Sequence, residues 1–128
     1  MIDKESFPDA LATAVQVRAS ISRSVHIERD LQQIAVANSY VLTGQARRSL
    51  SRIIEQIHGA APVRAWTLTG PYGSGKSLFG LFLMNLTCST CAGHAHATAQ
   101  LAAVDPALAA NVRANAGLDS SNGLLPIP

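Results

Sequence analysis

The chain has 128 residues, ten Lys and Arg against eight Asp and Glu, a net charge of +2 and 48% hydrophobic residues, which bounds it at one ordinary domain. Charged residues make up only 14%, so the composition fits neither a disordered chain nor a polybasic one and gives no electrostatic case for nucleic acid. The longest apolar stretch, residues 78–86 with Gly80 and Asn85 inside it, is too short to span a bilayer, and the N-terminus lacks the basic and apolar regions of a signal peptide. The chain therefore reads as cytoplasmic, without membrane contact and with its two cysteines as thiols.

Charge placement is more informative than its sum. After Lys76 only Asp105, Arg113 and Asp119 are charged, so the last 52 residues carry three of the eighteen charges. A small free-standing domain usually has a more charged surface, and the expectation is that much of this half is covered by further protein.

In chain order, residues 9–18 predict a short helix, with Pro8 and Asp9 where a fixed φ and an acidic side chain suit a first turn. Ile21, Arg23, Val25, Ile27 and Arg29 alternate with Ser22, Ser24, His26 and Glu28, which predicts an extended segment. Residues 31–41 carry no clear period. Leu50, Ile53, Ile54 and Ile57 follow the i, i+3, i+4, i+7 spacing of an amphipathic helix, with Thr43 as its N-cap and Gly59 just past its last turn. His58 suits the negative end of that helix, and Pro62 ends the connection. Residues 63–69, Val-Arg-Ala-Trp-Thr-Leu-Thr, have the composition of a strand with Trp66 in the core, and a helix over 75–87 follows the turn after it. Further on, Asp105-Pro106 reads as an N-cap and first turn of a helix that closes at Gly117.

Between the predicted strand and helix stands Gly70-Pro71-Tyr72-Gly73-Ser74-Gly75-Lys76-Ser77, which matches G-x-x-x-x-G-K-[ST] at every fixed position. Four such positions recur by chance in a chain of this size on the order of one per cent of the time or less. Glycines let the backbone approach a phosphate closely, and successive N–H groups with the positive end of the following helix form an anion nest. Lys76 supplies a mobile charge for the β- and γ-phosphates and is the candidate catalytic residue; Ser77 offers a hydroxyl to a Mg²⁺ ion bridging them. With Leu78 at the first turn, residues 70–78 form the candidate ATP site. The helix beyond is apolar on nearly every face, as expected of one packed against a parallel sheet.

Hydrolysis also needs an acid at the end of a second strand. Beyond Lys76 the only carboxylates are Asp105, better read as a helix cap, and Asp119, in a loop-type Asp-Ser-Ser-Asn-Gly run. The expected fold is thus α/β, a P-loop NTPase with a parallel sheet and flanking helices, present as an incomplete, truncated domain. Residues 1–58 form a lead-in, and 59–128 the first part of the core. The function this implies is an ATP-binding module, the N-terminal portion of a larger ATPase. A small P-loop kinase, or a non-catalytic piece that docks onto other subunits, stands as an alternative.

The match extends past the loop. Ser24-Val25-His26-Ile27-Glu28-Arg29-Asp30, then Tyr40-Val41-Leu42-Thr43, then Leu50 and Arg52-Ile53, then the run from Thr69 to Phe79, together resemble the start of large bacterial ATPases of the AAA+/STAND kind, many of them linked to phage defence. The resemblance covers roughly residues 24–86 and implies that residues 40–43 lie beside the adenine. The chain departs from that family in lacking a convincing Walker B acid, sensor residue or arginine finger.

Other signals read more plainly. Cys88, Cys91, His94 and His96 fall within nine positions, but one short run rarely wraps a zinc tetrahedron, and a helix end with small apolar cysteines is the simpler account. Arg47, Arg48 and Arg52 read as a solvated helix face.

Overall fold

The structure, a computed structural model, describes residues 24–57 and 65–115, and its first element turns on one carboxylate. Asp30 is buried; it accepts the backbone N–H of His26 and the guanidinium Nε of Arg29, each at 2.9 Å. That reach-back closes a single helical turn, α1 (Ile27–Asp30), with His26 at its N-cap. The extended segment expected from the alternation is thereby corrected over residues 27–30, because a local side-chain-to-backbone bond outweighs a short period-of-two pattern. A second turn, α2 (Ile34–Ala37), is followed by Ser39, whose buried hydroxyl donates to the Val36 carbonyl at 2.6 Å.

The amphipathic run forms α3 (Gly44–Ile57). Thr43 Oγ1 accepts the N–H of Ala46 at 3.2 Å, which is the N-cap bond, and Leu50, Ile53 and Ile54 are buried at the 3.6-residue spacing. The predicted helix over 9–18, His58, Gly59, Pro62, Gly117 and Asp119 lie outside the described residues.

Helix α4 (Lys76–Thr87) is apolar around most of its circumference, and two separate clusters account for this. On one side Phe79, Phe82 and Leu86 meet Leu50 and Ile54 of α3, Leu101 of α5 (His94–Val104) and Val112 of α6 (Pro106–Asn115). On the other side Leu81 meets Leu31, Val36, Cys88 and Cys91, with Leu78 and Met84 alongside. Leu50, Ile54, Leu86 and Leu101 are almost wholly enclosed. Each such side chain contributes about 1.5–3 kcal/mol relative to exposure. Helices α5 and α6 pack on each other, α5 on α4 and α6 on α3, so the first cluster crosses the boundary between residues 58 and 59.

The described residues form helices and contain no strand, which overturns the expected α/β fold with its parallel sheet. Residues 65–70 are neither helical nor part of a sheet, and all are exposed. A strand exists through ladder hydrogen bonds to a neighbour, and composition alone cannot supply one; no second strand is present among the described residues for this segment to pair with. Trp66, expected in the core, is 42% exposed for the same reason. The all-round apolarity of α4 is satisfied by helices on both sides instead of by a sheet on one.

Two corners fix α4 to α5 and α5 to α6. At the first, the buried Asn85 donates from Nδ2 to the Leu81 carbonyl (3.0 Å) and accepts the Gly93 N–H on Oδ1 (3.0 Å), while its own carbonyl bonds His94 Nδ1 (2.9 Å). Cys88 and Cys91 are joined there by a disulfide, their Cα atoms 5.5 Å apart, which corrects the expectation of thiols. At the second corner Asp105 Oδ1 accepts the Leu108 N–H at 3.0 Å, the helix cap that Asp-Pro predicts.

Candidate phosphate-binding loop

The loop of residues 70–77 runs from the exposed segment directly into α4. Gly73 and Gly75 have φ of 79° and 80°, a left-handed region that L side chains rarely adopt. Gly75 serves as the N-cap of α4, and no side chain caps the helix start. The first-turn N–H groups, which have no partners inside a helix, therefore stay clear of protein side chains at the positive end of the dipole.

Lys76 folds back over this turn. Its Nζ donates to the carbonyls of Gly70 (3.0 Å) and Pro71 (2.8 Å) and to Ser74 Oγ (3.3 Å). The Ser74 N–H closes onto the Pro71 carbonyl at 3.3 Å, which keeps the loop tight. A Cβ built at Gly73 or Gly75 meets nothing within 4 Å, so the space above both residues is open. These features fit a phosphate group: a cation, helix-end amides and unobstructed backbone converge, and the loop holds no carboxylate.

The remaining site residues are placed as follows. Tyr72 projects from the loop and is 99% exposed, Ser77 is exposed on the first turn of α4, and Leu78 is half-buried against the second cluster. Among the described residues no group of three or more His, Cys, Asp or Glu could hold a metal ion. Ser77, at the hydroxyl position of the motif, is the residue that would offer an oxygen to a Mg²⁺ ion there. Asp105 is engaged elsewhere: besides capping α6 it lies 3.5 Å from Arg47 Nη1 across to α3.

Tyr40, implied by resemblance to lie near the base, packs on the body of α4. Its ring centroid is 5.0 Å from that of Phe82, and its carbonyl accepts Gln100 Nε2 at 2.7 Å. Burial pushes its phenol up to about 12. Phe82 lies six residues beyond Lys76, about 9 Å along the helix axis. Val41 is 73% exposed and makes no comparable contact.

Sequence reasoning passed over Asn85. Its signal was a lone amide inside an otherwise apolar helix, a residue that must find partners if buried. Comparison with family models, with curated proteins and with solved structures finds no match. Among the described residues no helix is long and apolar enough to cross a membrane.

Proposed function

We propose that residues 70–78 bind the phosphates of a nucleoside triphosphate, ATP with Mg²⁺, and that the chain is the nucleotide-binding part of a larger ATPase. The observation that carries this is the junction of loop and helix: left-handed Gly73 and Gly75, an α4 start without a side-chain cap, and Lys76 gathered over the turn. On binding, Lys76 exchanges its three loop oxygens for phosphate oxygens, and the loop N–H groups and Ser77 take the rest of the anion and its metal. With Asp105 committed to Leu108 and Arg47, the acid that orients water comes from another segment or subunit on this reading. On this reading the chain is cytoplasmic.

The test is titration with a fluorescent ATP analogue and Mg²⁺. The full chain is expected to bind, and Lys76→Ala to bind at least tenfold more weakly, given about 1.5–3 kcal/mol for a hydrogen bond to a charged group. Equal binding by both, or none by the unaltered chain, overturns the assignment.

A second reading, a piece that docks onto a partner chain, is favoured by one observation: residues 65–70 lie outside any helix or sheet and are exposed, with Trp66 and Leu68 each at 42%. Light scattering separates the two. A monomer that binds the analogue supports the first, and a self-associating chain that does not bind it supports the second.

A further inference from the structure

Cys88 and Cys91 form a disulfide at the corner between α4 and α5, and the nucleotide reading leaves it unused. Cys88 is the C-cap of α4, and Cys91 stands shortly before Gly93, the N-cap of α5. A bond across a separation of only 3 closes a very short loop, which constrains the unfolded chain less than a long one and staples a fold weakly.

Its surroundings differ on its two sides. The intervening Ser89 and Thr90 are exposed, whereas both cysteines are buried in the cluster that holds Leu31, Val36 and Leu81. Leu31 and Val36 come from the segment that carries α1 and α2, and both of these turns rest on α4. That segment is thus docked on a surface of which the disulfide is part. Each turn has only 4 residues, which places the segment at the low-stability end of the fold. On the exposed side the Thr90 hydroxyl lies 3.3 Å from Cys88 Sγ, and because a disulfide sulfur carries no proton, the hydroxyl is the donor.

We propose that Cys88 and Cys91 form a redox switch: the disulfide keeps the segment with α1 and α2 docked on α4, and the reduced pair releases it. The reductant is a dithiol. Its thiolate attacks Cys91 Sγ, the S–S bond breaks, and the electron pair leaves on Cys88 Sγ, where the Thr90 hydroxyl stabilises the new thiolate. The second thiol of the reductant then displaces Cys91, so the reductant ends as a disulfide and each cysteine, now a thiolate, takes up a proton. Two thiol sulfurs stand at van der Waals separation, farther apart than two bonded ones, and need more room in a close-packed cluster. The side that yields is the one formed by single turns, because α4 is also held by the first cluster.

The test is methyl NMR of the full chain under native conditions, oxidised, then treated with dithiothreitol, then reoxidised with glutathione disulfide. Both cysteines are expected to take up iodoacetamide after dithiothreitol, and neither before it. Methyl NOEs from Leu31 and Val36 to Leu81 should be lost on reduction and restored on reoxidation, while those from Leu50 and Ile54 to Leu86 and Leu101 persist throughout. Cys88→Ala/Cys91→Ala should respond to neither reagent. Cysteines that stay unreactive after dithiothreitol, Leu31 and Val36 contacts that survive reduction, loss of both sets of contacts together, or a response in the double variant overturns the proposal. None of these outcomes depends on whether residues 70–78 bind ATP.

Discussion

Asp30 shows how much one side chain can decide in a short element. It is 1% exposed, and the His26 N–H and the Arg29 guanidinium both rest on it. Asp30→Ala removes the acceptor and leaves a backbone donor without its partner. The expected loss is about 2–3 kcal/mol by urea denaturation, from the scale of charge-assisted hydrogen bonds. Arg29→Ala should cost far less, because its side chain is half in water and an exposed ion pair contributes little.

Tyr40 makes a prediction of a different kind. Its phenol stands at about 12 against an ordinary 10.0, so the folded state holds the proton more tightly than the unfolded chain does. The stability this contributes is present in full below pH 10 and is lost as pH rises toward 12. Tyr40→Phe cannot ionise. Its urea midpoint should therefore fall less steeply than that of the unaltered chain over this window; parallel slopes would refute the assignment.

At the scale of elements, the corner between α4 and α5 is the most sharply constrained. A Cβ at Gly93 would stand 2.6 Å from Asn85 Oδ1 and 2.7 Å from the Ala37 Cβ, distances that real structures do not tolerate. Gly93→Ala must push the two helices and α2 apart, and a loss of about 1–3 kcal/mol is expected from thermal unfolding. Gly80→Ala, with nothing within 4 Å of the added atom, serves as the control and should be neutral or slightly stabilising.

The elements also show what could be read without coordinates. Helix α3 was legible because its signals are local: a cap at Thr43 and a 3.6-residue stripe ending in buried Leu50, Ile53 and Ile54. The glycine-rich turn of residues 70–77 was legible as a turn, and Gly73 and Gly75 take the left-handed angles that glycines permit there. The predicted strand failed at residues 65–69, where β-type composition met no neighbouring strand. The Asn85–Gly93 bond was invisible because it joins residues eight apart across a turn that the periodicity of neither helix announces. Thr98 and Arg113 line one surface pocket only through the packing of α5 on α6, and no spacing rule links them.

For the whole molecule, α4 is the member shared by both clusters, whereas α1 and α2 are single turns of four residues; α2 gives Val36 to the second cluster, and Val25 and Leu31, on either side of α1, belong to it as well. A central amide of α4, such as that of Phe82, cannot reach solvent until both clusters have come apart, which is close to complete unfolding. Native-state hydrogen exchange should therefore sort the chain into two tiers. The central amides of α4, around Phe82, are expected to exchange last, at a rate that reports the global free energy and responds to denaturant with the full slope. Those of α1 and α2 should exchange many-fold faster, with little denaturant dependence. A uniform rate across the helices would show instead that the two clusters dissolve as one unit.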